Sequence, residues 1–259
     1  MKKYIFILDL DSTIIGNCKF QLMFFNYMTI LNKNKNIINN ALTHYYKQDA
    51  KLIRPDFIKF INKMNEIYKN NVYFYIYTAS TEDWANLEIK LIEKNNKIKF
   101  NRPIFTRNDC YVENNIIYKD IDKIIDKIKI KSKIKDYDII IIDDNEVYKE
   151  YNKYLIKCKP YLYSIFCDFQ LPNIDFEKIS LDKRKKIINI IKCPNFFSHC
   201  TDMNKFKLYK WLYNKCKKIY KQNKIYENDK FWSKLTKLIE VNKIIDFNDD
   251  TIKQINKII

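Results

Sequence analysis

The sequence predicts an α/β protein built on a doubly wound, mainly parallel sheet, with a helical insertion after the first strand and a helical C-terminal appendage. Three observations carry this. Short apolar runs rich in β-branched and aromatic residues lie at Tyr4 to Leu8, Val72 to Tyr77 and Ile139 to Ile142, the pattern of strands buried on both faces. Between them apolar residues recur at helical spacing, as in Phe57, Phe60, Ile61, Met64 and Tyr68, and again in Trp84, Leu87, Leu91 and Ile92. Each run ends in polar residues, and in such sheets ligands sit beyond the carboxyl ends of the strands.

Two regions depart from the alternation. Residues 16–52 follow the first strand directly, with a patchy helical pattern through Phe20, Phe24, Tyr27 and Leu31, where an insertion can lie over the strand ends like a lid. Residues 166–259 carry a denser basic excess than residues 1–165 and are expected to form a helical appendage to a core ending near 165. No internal repeat or Pro/Ser linker marks the boundary.

The composition narrows the class. With 47% hydrophobic and 31% charged residues in a chain of 259, a sizeable buried core is available and disorder is excluded. The chain is saturated with Ile, Lys, Asn and Tyr and holds a single glycine, Gly16. The formal net charge of +17 suits an acidic partner, although a residue bias toward Lys accounts for it equally well. Seven cysteines without a close pair argue against a disulfide framework and for a reducing compartment. The run after Met1 is too short for a signal peptide, and no stretch approaches the roughly 20 apolar residues that cross a bilayer. These features predict a soluble intracellular protein, cytoplasmic or nuclear, with no membrane partner.

The chemistry lies at the three strand ends. After the first comes Asp9-Leu10-Asp11-Ser12-Thr13; residues two apart in an extended segment face the same side, so both carboxylates can address one ligand. One carboxylate can attack phosphorus while the other protonates the leaving oxygen and later activates water. After the second comes Thr78-Ala79-Ser80, which offers a small hydroxyl to a phosphate oxygen, and after the third Asp143-Asp144-Asn145, hard oxygen donors suited to Mg²⁺. Lys119, preceded by Ile116, Ile117 and Tyr118, can neutralise charge on a transferring phosphoryl group. Taken singly, these are an acidic turn, a cap and a solvated lysine. Their joint order at successive strand ends points to a phosphoric monoester hydrolase.

That order resembles the four motifs of the haloacid dehalogenase superfamily. The resemblance implies a Rossmann-like core and an aspartyl-phosphate intermediate, with Asp9 as nucleophile and Asp11 as general acid/base. It implies that Thr78, Ala79 and Lys119 bind phosphate and that Asp9, Asp143, Asp144 and the backbone carbonyl of Asp11 hold Mg²⁺. The stretches Ile53-Arg54-Pro55-Asp56-Phe57 and Ile76-Tyr77-Thr78-Ala79-Ser80, with Ile104 to Cys110 and Tyr118-Lys119-Asp120, are similar to the phosphatases of the RNA polymerase II C-terminal domain, the NLI-interacting-factor-like branch. This implies a phosphoserine or phosphothreonine protein substrate. Ser12 and Ile14 depart from the usual residues of that family, and the helical segment 16–52 stands where the small phosphatases carry an extended linker or hairpin.

Other readings stay beside this one. A nucleotidase or polynucleotide end phosphatase would use the same motifs. So would a non-catalytic nucleic-acid-binding or scaffold protein with a vestigial core. The run Lys205 to Lys224 holds eight lysines and no acid, interleaved with Phe206, Tyr209, Trp211, Tyr213 and Tyr220; an ordinary amphipathic helix outweighs a nucleic-acid surface there. Cys158, Cys167, Cys193, Cys200 and Cys216 with His199 lack the CxxC or CxxH spacing of structural zinc. His44 reads as a surface histidine.

Overall fold

In a computed structural model, residues 2–31, 34–132, 136–165, 218 and 221–259 are described. Strand β1 (Lys3–Leu8) forms the axis of a four-stranded parallel sheet with β2 (Val72–Ile76), β5 (Tyr137–Asp143) and β6 (Leu155–Lys157), in the order β2-β1-β5-β6. The three strands expected from the sequence are present within a residue or two of their predicted bounds. The short β6 is an addition at the edge. A second addition is an antiparallel hairpin of β3 (Cys110–Glu113) and β4 (Ile116–Lys119).

Helices α1 (Lys19–Ile30) and α2 (Lys35–Leu42) lie in the insertion; α3 (Phe57–Tyr68) and α4 (Glu82–Asn96) flank β2 in sequence, and α5 (Ile121–Ser132) follows the hairpin. The C-terminal part contributes α6 (Phe231–Val241) and α7 (Asp249–Ile258). Side chains alternate across β1, as the period-two pleat requires. Tyr4, Phe6 and Leu8 enter one buried cluster with residues of the insertion, α3, α4, α6 and α7. Ile5 and Ile7 enter another with Ile121, Ile124, Ile125 and Ile128 of α5. Burial on both faces explains why these strands read as unbroken apolar runs.

The insertion is tied along α4. Tyr46 Oη donates to Glu88 Oε1 at 2.8 Å, Asn95 Nδ2 donates to the Thr43 carbonyl at 2.8 Å, and the Phe25 and Trp84 rings lie 5.4 Å apart. Glu88 is fully buried, and burial pushes its carboxyl well up. His44 is exposed, as expected.

Residues 229–259 pack into the same core as the sheet. Trp232 is fully buried against Phe57 and Phe60, with ring centroids 5.0 and 4.7 Å away. The buried guanidinium of Arg54 makes two parallel bonds of 2.9 Å to Asp229 and lies 4.7 Å from the Phe231 ring centroid. The predicted boundary near 166, most of the Lys205 to Lys224 run, and Cys167, Cys193, Cys200, Cys216 and His199 lie outside the described residues. Removing one partner of a buried pair strands the other charge. Asp229→Ala is therefore expected to cost about 2 kcal/mol, the partial exposure of Asp229 tempering the full penalty. Urea unfolding measures it, and a loss under about 0.5 kcal/mol would assign the pair no anchoring role.

Candidate active site

The register of the sheet brings the predicted residues together. Leu8 stands level with Ile76 of β2 and Ile142 of β5, so the chain leaves the sheet from three adjacent strands at one height. Backbone bonds extend this alignment by a residue: Asp9 N–H donates to the Ile142 carbonyl at 3.0 Å and Tyr77 N–H to the Leu8 carbonyl at 2.9 Å. Alternation then places Asp9 on the side of Ile5 and Ile7, and Asp143 on the side of Ile141.

Lys119 reaches that side from the end of β4. Its Nζ lies 2.6 Å from Asp9 Oδ1 and 2.7 Å from Asp143 Oδ2, and all three residues are buried. Tyr148 Oη donates to Asp143 Oδ2 at 2.5 Å and accepts from Lys119 Nζ at 3.3 Å. Asp9 Oδ2 is buried without a hydrogen-bond partner. Two carboxylates thus share one ammonium. Burial, then the nearby Asp143, pushes the Asp9 carboxyl well up, against the pull of Lys119. Burial opposes the charge on Lys119 as well, but Asp143 and Asp9 outweigh it and raise its pKa. Burial and Asp143 likewise raise Tyr148, which keeps it a phenol able to donate.

Asp11 is held from β2's side. Its Oδ2 accepts from Ser80 Oγ at 2.7 Å and from Thr78 Oγ1 at 3.3 Å, while Ser80 N–H donates to Thr78 Oγ1 at 3.1 Å. Thr78 is fixed by its own N–H, which donates to the Phe105 carbonyl at 3.0 Å. The Ala79 carbonyl accepts from Arg107 Nε at 2.7 Å. Ser12, between the two aspartates and Thr13, takes a φ of 63°, a left-handed conformation uncommon for a residue with a Cβ. Its carbonyl is held by Tyr161 N–H at 2.8 Å.

The acidic pair after β5 completes the group. Asp144 Oδ1 accepts from Asn145 Nδ2 at 2.9 Å and Thr13 Oγ1 at 3.4 Å, and Asp143 Oδ1 accepts from Asn145 N–H at 2.7 Å. Burial, then Asp143, moves the Asp144 carboxyl up to about 6. One carboxylate oxygen from each of Asp9, Asp143 and Asp144 falls within 4.8 Å of the others. Hard oxygen donors, together with the partnerless Asp9 Oδ2, fit a divalent cation such as Mg²⁺.

The residues that the sequence places at the three strand ends, together with Lys119, therefore lie near one another, with Thr78 and Asp11 on one flank and Lys119 and Asp143 on the other. Sequence reasoning missed Tyr148, and it did not recognise Ser80 as the nearest donor to Asp11. Ser80 was visible as the second hydroxyl after β2. Tyr148 carries no pattern of its own, because only the turn after β5 aims it back at Asp143.

Comparison with known proteins now bears on this geometry. No curated protein sequence matches the chain. Several solved structures resemble it, two of them as follows. One is Fcp1, an essential RNA polymerase II CTD phosphatase, at 18% identity and a TM-score of 0.39, over 73% of this chain and 49% of that one. The other is a variant of the fission yeast RNA polymerase II CTD phosphatase Fcp1 bound to beryllium fluoride, at 16% identity and a TM-score of 0.38, over 98% of this chain and 61% of that one. The chain thus spans 49% and 61% of the length of those structures. Among the described residues no helix is long and apolar enough to cross a membrane. The profile of one family, the NLI interacting factor-like phosphatases, matches residues 4–188, well over half of the sequence and the whole of the constellation above, and the chain belongs to that family.

Proposed function

We propose that the chain hydrolyses a phosphomonoester through an aspartyl-phosphate on Asp9. The observation that carries this reading is the convergence of Lys119 and Asp143 on a buried Asp9 that keeps one oxygen without a partner. A carboxylate oxygen of Asp9 attacks phosphorus and the ester bond to the leaving oxygen breaks. Asp11, steadied by Ser80 and Thr78, gives that oxygen its proton. The Asp11 carboxylate then takes a proton from water, whose oxygen attacks phosphorus and releases phosphate from Asp9. Lys119, Thr78 and the Ala79 segment bind the phosphoryl oxygens, and Lys119 offsets their charge.

Asp9, Asp143 and Asp144 would hold Mg²⁺ with the backbone carbonyl of Asp11. Bound there, the cation would shield the carboxylate from the phosphate it must approach. Hydrolysis of a generic aryl phosphate by the purified chain is expected to require Mg²⁺ and to stop on chelation. Asp144→Asn should raise the Mg²⁺ concentration needed for half-maximal rate by at least about tenfold. An unchanged Mg²⁺ requirement in that variant would remove Asp144 from the metal set.

The RP and TAS stretches, with the family match, support a phosphoserine or phosphothreonine in a protein as the substrate, of the polymerase C-terminal-domain type. A phosphopeptide is therefore expected to compete with the aryl phosphate. Competition by a 5′-phosphorylated oligonucleotide alone would instead favour a polynucleotide end phosphatase. The core of residues 1–165 would carry this chemistry in a cytoplasmic or nuclear setting, and the Lys205 to Lys224 run is the segment that would engage a nucleic acid.

A further inference from the structure

An ammonium group has three N–H donors and no acceptor, on a flexible four-carbon stem. Around Lys119 the partners number three: Asp9 Oδ1 at 2.6 Å, Asp143 Oδ2 at 2.7 Å and Tyr148 Oη at 3.3 Å. Two of them are joined, because Tyr148 Oη itself donates to Asp143 Oδ2 at 2.5 Å. Lys119, Asp143 and Tyr148 therefore close a ring of hydrogen bonds in which each polar hydrogen has one destination. With two N–H groups held in that ring, the rotation of the ammonium is fixed and the third N–H is aimed at Asp9.

Aromatic walls confine the same group. The Tyr77 ring centroid lies 5.7 Å from Lys119 Nζ, within the range of a cation–π contact, and the Tyr148 ring lies behind its own hydroxyl, with its centroid 5.5 Å away. Tyr77 is pinned in turn, since its Oη accepts from Asp120 N–H and donates to the Asp109 carbonyl, each at 2.8 Å. Tyr148 is almost fully buried, so water does not substitute for its hydroxyl.

We infer that Tyr148 is a positioning residue for the phosphate-facing N–H of Lys119: its hydroxyl, locked to Asp143, orients the ammonium toward Asp9 and the phosphoryl oxygens that gather there. This rests on the phosphatase reading of the site. Tyr148 touches neither the nucleophile nor the substrate in this role; it acts through Lys119. When phosphate arrives, a phosphoryl oxygen beside Asp9 meets the N–H already aimed there, and the ring to Asp143 and Tyr148 stays closed.

Tyr148→Phe deletes the hydroxyl and keeps the buried ring that carries it. The test is a double-mutant cycle with Lys119→Ala, read on kcat with an aryl phosphate and on inorganic phosphate binding by calorimetry with Mg²⁺ present. Tyr148→Phe is expected to lower kcat roughly tenfold and to weaken phosphate binding several-fold, as loss of a hydrogen bond to a charged group should, with little change in melting temperature. In the Lys119→Ala background the same change is expected to have under a twofold effect on either readout. Equal losses in both backgrounds would show a structural role and overturn the inference, as would full activity and phosphate binding in Tyr148→Phe. Phosphate binding decides the cycle even where Lys119→Ala turns over too slowly to measure. A wild-type chain that hydrolyses nothing would instead strike at the phosphatase reading, which separates the two failures.

Discussion

Asp9→Asn is expected to abolish hydrolysis, by at least about a thousandfold, because an amide is not a competent nucleophile toward phosphorus. The same change is expected to leave the metal-free protein as stable as wild type or more stable, by about 1 kcal/mol. In the wild type two buried carboxylates, Asp9 and Asp143, share the single charge of Lys119, so one negative charge stays uncompensated. Asparagine keeps an oxygen to accept from Lys119 and removes that excess. The sign of the pH dependence follows from the raised Asp9 pKa. Folded Asp9 holds its proton more tightly than the unfolded chain does, so its contribution is fully present below the unfolded value. It is lost as pH rises through the folded one. Unfolding curves in chelator from about pH 4 to 8 should thus show wild-type stability falling more steeply with rising pH than that of the variant, which keeps the raised carboxyls of Asp144 and Glu88. An active Asp9→Asn enzyme would end the assignment of the nucleophile. A variant markedly less stable than wild type would show that the site carries no strain.

Much of this site was legible because strand ends announce themselves. Runs such as Tyr4 to Leu8 are continuous only when both faces are buried, and the acids that follow them stand out at once. The hairpin β3–β4 was not read, for a reason peculiar to this composition. Its turn is Asn114-Asn115, with φ of 51° and 62°, the backbone of a two-residue hairpin loop where glycine usually helps. In a chain with one glycine, asparagine takes that place, and a sequence rich in asparagine hides the signal. Lysine plays the same part at Lys69 and Lys97, both with positive φ just past helix ends, where a glycine would have marked the stop. Helix α6 falls within the appendage expected to be helical, and its buried stripe of Phe231, Trp232, Leu235 and Ile239 is a clear helical pattern; what went unread is that this stripe packs into the core of the sheet. The Arg54–Asp229 pair that docks it joins residues 175 apart, a contact no local pattern encodes.

The one glycine that the sequence retains is expected to be the least replaceable residue outside the site. Gly16 opens the insertion, with its N–H bonded to the Leu52 carbonyl at 2.7 Å and the next amide, Asn17 N–H, bonded to the Tyr163 carbonyl at 2.8 Å. Its φ is not positive, so conformation alone does not demand glycine. Space does: a Cβ at this position would lie 2.0 Å from the Tyr163 carbonyl oxygen and 2.9 Å from its carbon. Those are backbone atoms, which unlike a side-chain tip have no rotamer in which to escape. Gly16→Ala must separate the start of the insertion from residue 163 and break the bond from Asn17. The expected cost is about 3 kcal/mol or more, beyond the usual range for one added methyl group in a packed interior. The Ser164 Oγ to Asn17 carbonyl bond of 3.1 Å and the Tyr161 N–H to Ser12 carbonyl bond of 2.8 Å lie along the same seam. Loosening it should therefore reach the loop that carries Asp11. Urea unfolding of Gly16→Ala measures the first effect, and kcat of the folded fraction measures the second. A variant within about 1 kcal/mol of wild type would mean that the segment 161–165 can shift without penalty, and would free Gly16 of any structural requirement.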